Sequence, residues 1–220
     1  VREVFVNNKT VFVEGLGYKP EGSFLLRKGG FDFQQEKEFL KLCQIGLLCN
    51  DAVLEKKDKQ WQTIGDPTEA ALVVLARKAG LIQADFNRQF PRVAEIPFDM
   101  ERKRMSTIHP WGKNKYLVAV KGAPESILKV CRYIQIKGKV RRIKKTDIQA
   151  LLAQTNAMAN KALRVLALAY KEVSKTQLTD LSAIKTEKAE SELVFLGLAG
   201  MLDPPREDCL LYTSDAADEL

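Results

Sequence analysis

Histidine is nearly missing from this sequence: His109 is the only one in 220 residues. A histidine-rich metal centre is thereby excluded. The four cysteines, Cys43, Cys49, Cys131 and Cys209, form no CxxC pair and match no metal-ligand spacing. They read as reduced, structural thiols in a cytosolic setting. No apolar run approaches the roughly 20 residues that a membrane helix needs. The opening residues, Val1-Arg2-Glu3-Val4, carry neither an initiator methionine nor the design of a signal peptide. They read as the start of an excised internal piece. Internal repeats and low-complexity tracts are also missing.

What is present is ordinary globular composition, 45% hydrophobic and 29% charged, enough for one large domain or two small ones. The net charge of +7 admits nucleic acid, an acidic membrane surface or an anionic small ligand as partner. Apart from 137–145 the basic residues are scattered, which disfavours nucleic acid.

The chain is organised around Lys121-Gly122-Ala123-Pro124-Glu125. Residues 115–120 place apolar groups on both faces, the pattern of a mostly buried strand. Gly122 is expected to let the backbone turn sharply, and Pro124 to set the first turn of a helix with Glu125 near its positive end. An ammonium beside an open turn suits a phosphate or a nucleotide. The competing reading is a plain strand-to-helix connection with a solvated lysine.

Elsewhere, residues 4–6 and 10–14 flank Asn7-Asn8-Lys9 as a hairpin. Residues 15–30 read as loop, 34–49 as a helix with a broad buried face, and 50–62 as loop with a strand near Trp61. Asp66 is a helix cap, Pro67 fits the first helical position, and Glu69 lies three residues after the cap. That helix continues to Gly80. Strands are expected at 94–98 and 103–108. Phe98 with Arg102, Lys103 and Arg104 can stack a base and neutralise phosphates, or can be a core phenylalanine beside a solvated turn. A second hairpin spans 133–143, a helix runs from Thr146 to Leu163, and strands follow at 165–170 and 193–200. Residues 172–192 read as a surface excursion. Strands mostly in hairpins, with helices not strictly interleaved, favour an α+β layer fold built on a largely antiparallel sheet.

Together these stretches resemble the nucleotide-binding domain of P-type cation-transporting ATPases, most of all the calcium-pump-like branch. Motifs stand in family order at 65–72 (Gly65-Asp66-Pro67-Thr68-Glu69), 98–106 (Phe98-Asp99-Met100-Glu101-Arg102-Lys103), 121–125 and 163–167. Asp203-Pro204-Pro205-Arg206 is similar to the family's return strand into its phosphorylation domain.

The resemblance implies the roles. Phe98 would stack on adenine, and Glu69 would touch the adenine edge or hold the pocket's polar network. Lys121 would lie at the pocket floor beside Gly122, and Lys103 toward the phosphates. Arg164 would reach the phosphates, with Leu166 as an apolar wall. Asp66, Thr68, Met105 and Ala123 would support them. ATP would be the ligand and Mg²⁺ would travel with it, its own ligands lying in the phosphorylation domain. No metal ligand and no catalytic residue are expected in this chain, because the acceptor motif Asp-Lys-Thr-Gly-Thr is absent from it. Covalent phosphoryl transfer needs that aspartate, a metal and in-line geometry.

The resemblance further implies a domain over 1–200, a return segment over 201–208, and a non-native tail over 209–220. The parent would be an integral membrane pump, with calcium as the expected ion. This domain would lie on the cytosolic face beside phosphorylation, actuator and transmembrane domains, with no nucleic-acid partner. The alternatives are a basic nucleic-acid-binding module and a nucleotide domain with a degenerated site.

Overall fold

The computed structural model describes residues 1–202 apart from 16, 28, 59, 179, 180, 182, 183 and 185. The Asp203-Pro204-Pro205-Arg206 motif, Cys209 and the 209–220 tail lie outside the described residues.

The expected hairpin forms as β1 (Glu3–Val6) and β2 (Lys9–Val13), and Asn7 and Asn8 both take the positive φ that the tight turn demands. The stretch expected as loop contains β3 (Phe24–Leu26), paired with β2. Helix α1 (Lys37–Leu48) begins a few residues later than its apolar pattern predicts. The segment after it is a separate two-stranded ribbon, β4 (Val53–Lys57) with β5 (Gln60–Ile64). Helix α2 (Pro67–Lys78) starts at the predicted cap, and Gly80 ends that stretch at φ +82. A short helix the sequence did not announce, α3 (Gln83–Gln89), follows; it buries none of its residues, so it leaves no apolar stripe to read.

Strands β6 (Ala94–Asp99), β7 (Arg104–Trp111) and β8 (Lys115–Gly122) form an antiparallel meander. Next come α4 (Pro124–Val130) and the hairpin of β9 (Cys131–Ile136) and β10 (Lys139–Arg142). Helix α5 (Lys145–Ala159) stops before Leu163, because the chain reverses at Ala162 with φ +57. Strand β11 (Arg164–Ser174), the short α6 (Thr186–Ala189) and β12 (Leu193–Met201) complete the order.

The main sheet runs β3-β2-β1-β12-β11-β8-β7-β6. Among the described residues the one parallel pairing is β9 with β12: β9 takes the first half of β12, while β1 pairs with the second half of the same edge. The α+β layer expectation therefore holds, with helices on both faces. Side-chain alternation on β8 sorts the two layers. Leu117 and Ala119 join Phe39, Leu42 and Leu72 in the α1–α2 layer. Val118 and Val120 join Ile127, Leu151 and Met158 in the α4–α5 layer. Lys121 has the parity of Leu117 and Ala119, which aims it toward α2. Among the described residues no helix is long and apolar enough to cross a membrane.

Candidate functional site

Three pieces of backbone converge at one end of the sheet: the start of α2, the turn between β6 and β7, and the end of β8 beside the start of β11. At α2, the Asp66 carboxylate accepts from the N–H groups of Thr68 (2.8 Å) and Glu69 (3.2 Å), satisfying two orphan donors of the first turn. Partial burial pushes the Asp66 carboxyl upward, but hydrogen bonding from the Thr68 side chain and from these two N–H groups outweighs it. With the nearby Arg164 charge they hold it below the usual carboxylate range.

Glu69 lies one turn into α2 and faces Lys121, with which it forms an ion pair. The other Glu69 oxygen accepts the Asp51 N–H at 3.0 Å, and the Glu69 carbonyl accepts from the Asn50 amide at 2.9 Å. Glu69 is thus the centre of a polar network. Lys121 is only 6% exposed, so it is not the solvated rim lysine of the competing reading. Its charge is compensated where it sits.

Gly122 does not make the sharp turn expected of it. It is still in β8, opposite Arg104 on one side and Ala167 on the other. Its requirement is space: a Cβ would lie 2.5 Å from the Lys103 carbonyl oxygen and 2.6 Å from the Arg104 Cβ. That close approach lets the Ala123 N–H donate to the Lys103 carbonyl at 2.9 Å.

The β6–β7 turn presents Phe98 and Lys103. The Asp99 carboxylate accepts from the N–H groups of Glu101 (3.0 Å) and Arg102 (2.8 Å), and Lys103 sits at φ +49. Phe98 is 57% exposed, so it is a surface aromatic and not a core one. The three neighbouring cations do not act together. Arg102 and Arg104 both pair with Glu190, and Lys103 alone of the three reaches the cavity. Glu190 belongs to the excursion read as surface, yet it is 2% exposed. A carboxylate in a polar run gives no sequence signal of burial when its partners are some 85 residues away.

These pieces enclose a cavity of about 530 Å³. Glu69, Phe98, Lys103, Lys121, Gly122, Arg164 and Leu166 line it, as do Asp66, Thr68, Met105 and Ala123. Every site residue expected from the sequence is therefore brought to one place. Met100 and Val165 line it too and were not expected; the only hint of Met100 is its position two residues after Phe98.

The cavity joins an apolar, aromatic surface to two cations outside the Lys121–Glu69 pair, Lys103 and Arg164. Such a lining suits a ligand with a flat ring at one end and anionic groups at the other. Its two carboxylates are engaged, Glu69 with Lys121 and Asp66 with the helix cap. Among the described residues no cluster of three or more His, Cys, Asp or Glu is placed to hold a metal ion. Two smaller hollows lie elsewhere. One of about 390 Å³ is lined by Asn8, Ile136, Lys137, Lys139 and Arg141. One of about 290 Å³ lies between the β4–β5 ribbon, α2 and α3.

The family model described as P-type ATPase, cytoplasmic domain N, matches residues 38–208. The chain is 33% identical over 211 residues to a calcium-transporting ATPase of Bacillus subtilis, covering 94% of this chain and 23% of that protein. It is 41% identical over 163 residues to calcium-transporting ATPase 1 of Lactococcus lactis, covering 73% of this chain and 17% of that protein. It is 36% identical over 217 residues to a cation-transporting ATPase of Synechocystis, covering 96% and 23% respectively. The chain spans less than a quarter of the length of each of these relatives.

Proposed function

The chain belongs to the P-type ATPase cytoplasmic domain N family, and on that premise we propose that it is the ATP-binding domain of an ATP-driven cation pump. The observation that carries the reading is the shared cavity, with Phe98 on its wall and Lys103 and Arg164 lining it. In this proposal Phe98 stacks on adenine, a sequence-tolerant aromatic contact. Leu166 and Met105 add apolar surface. Lys103 and Arg164 receive the phosphates as charge-assisted donors. Glu69 and Lys121 form the polar floor, with Gly122 and Ala123 shaping it and Asp66 and Thr68 fixing the start of α2.

Mg²⁺ arrives with the nucleotide, and its protein ligands belong to a phosphorylation domain. There an aspartate takes the γ-phosphoryl group and forms an aspartyl-phosphate, splitting hydrolysis into two steps. Because that aspartate's motif is not in this sequence, the chain binds nucleotide without turnover. In the whole pump it works on the cytosolic face of a membrane, beside phosphorylation, actuator and transmembrane domains. Calcium is the proposed ion, in keeping with the calcium-transporting relatives. The same likenesses favour this reading over a basic nucleic-acid-binding module.

The test is an ATP titration of the chain followed by amide shifts and by phosphate release. The expected dissociation constant is about 0.1–1 mM, or about −4 to −5.5 kcal/mol, because the phosphate end lacks its partner domain. Shifts should centre on Glu69, Phe98 and Lys121, with no phosphate released. Binding absent, or shifts confined elsewhere, would overturn the proposal.

A further inference from the structure

The Glu190 carboxylate, at the end of α6, receives four hydrogen bonds while its side chain is 1% exposed. Arg102 Nη1 donates to both of its oxygens, at 2.7 and 2.8 Å. Arg104 Nε donates at 2.6 Å and Ser106 Oγ at 2.7 Å. All three donor residues follow Phe98 within one motif. The network then closes around that motif. Arg102 Nη2 donates to the Pro97 carbonyl at 2.6 Å, on the other side of Phe98. Arg104 Nη1 donates to Ser126 Oγ at 3.0 Å, and Ser126 Oγ donates to the Arg102 carbonyl. Ser126 stands in α4, just after the segment that carries Lys121.

We propose that Glu190 is the positioning residue for the β6–β7 turn, holding Phe98 and Lys103 toward the cavity. Glu190 itself does not line that cavity. Its action runs through Arg102, which clamps the backbone before Phe98, and through Arg104, which flanks Lys103. The turn needs such a clamp. Lys103 holds a left-handed φ of +49, an uncommon conformation for a lysine. Phe98 is mostly exposed and has little packing of its own to orient it. A charge-paired carboxylate with every donor drawn from 102–106 acts locally, and not on the sheet as a whole. What this positioning does for nucleotide affinity rests on the ATP-binding reading; the positioning of the turn does not.

The experiment compares wild type, Glu190→Gln, Phe98→Ala and the double variant in the full chain. Amide hydrogen exchange without nucleotide is read first, then ATP titration. Glu190→Gln should speed exchange at 98–104 by about ten-fold or more while amides of α2 and β12 stay as in wild type. It should weaken ATP binding about 3- to 10-fold, and by less than that in the Phe98→Ala background, where only the placement of Lys103 is left to lose. Unchanged exchange at 98–104, or a rise spread over the whole sheet, overturns the positioning role. A turn loosened locally by Glu190→Gln, together with a wild type that binds no ATP, keeps the positioning role and removes the nucleotide reading. If Glu190→Gln does not fold, Arg102→Met carries the test, since it leaves Glu190 with Arg104 and Ser106; the same local loosening is expected, and its absence overturns the proposal.

Discussion

Lys121, at the end of β8, and Glu69, one turn into α2, form an ion pair on the floor of the cavity, 52 residues apart in sequence. The pair is mostly withdrawn from water, so removing one partner leaves a charge that water cannot fully reach. Glu69→Gln is expected to destabilise the fold toward the lower end of about 3–5 kcal/mol, because the cavity admits some solvent. Denaturant unfolding reads this as a lower midpoint at unchanged slope. Replacing both residues with apolar ones of similar size should recover most of the loss; a double variant as unstable as the single one would refute the pairing as the cause.

Phe98→Ala separates binding from folding. The ring is largely exposed, so its loss should change stability by no more than about 0.5 kcal/mol. ATP binding should weaken by about 1–3 kcal/mol, the worth of a stacked base. Titration and thermal unfolding of the same sample check both halves.

Gly122→Ala should do the reverse of a simple pocket change. The added methyl meets backbone on β7, which cannot step aside as a flexible side chain would. A loss of about 1–3 kcal/mol in stability is expected from overpacking. Shift changes should centre on Lys103 and Arg104 rather than on helix α4. A variant as stable as wild type would show that β7 and β8 can separate at this point.

His109 supplies a pH dependence. Its Nδ1 donates to the Phe90 carbonyl at 2.8 Å and its Nε2 lies 2.9 Å from Thr107 Oγ1. Burial, aided by the Arg92 charge, pulls its pKa below the ordinary 6.5, against hydrogen bonds that pull the other way. The unfolded chain therefore binds the proton more readily than the fold does. The His109 contribution is complete above pH 6.5 and falls as the pH drops below that value, by at most about 1.4 kcal/mol per pH unit. Denaturant midpoints between pH 7.5 and 5 measure this; His109→Gln should remove part of the slope, and the remainder belongs to the Val1 amine, which burial pulls down to about 5. Asp66, held below its ordinary 3.8, adds a similar loss only when the pH falls below that value.

Much of this was legible in the sequence where one local rule sufficed. Asp66-Pro67 announces a helix start, Asn7-Asn8 a hairpin, and alternation at 115–120 a strand buried on both faces. The ribbon of β4 and β5 was legible only near Trp61, because Glu55, Lys56 and Lys57 are exposed and write no apolar pattern. The sequence singles out Gly122 but suggests a turn rather than its actual task, since a close approach between strands depends on a register that sequence does not state. Lys121 was identified without its partner. Glu190 was invisible: its burial is decided by Arg102, Arg104 and Ser106, which meet it only after the whole meander and β11 are in place.

The split loyalty of β8, with Leu117 and Ala119 in one layer and Val118 and Val120 in the other, also guards against misassembly. Sliding the strand by a single residue would turn the Lys121 ammonium toward the layer of Ile127 and Met158, and would set a residue with a Cβ, Lys121 or Ala123, against Arg104 where Gly122 now stands. Hydrophobicity alone would tolerate that slip, because both layers are greasy. The charge and the missing side chain do not, so the same two residues that shape the cavity also proofread the pairing of the sheet beneath it.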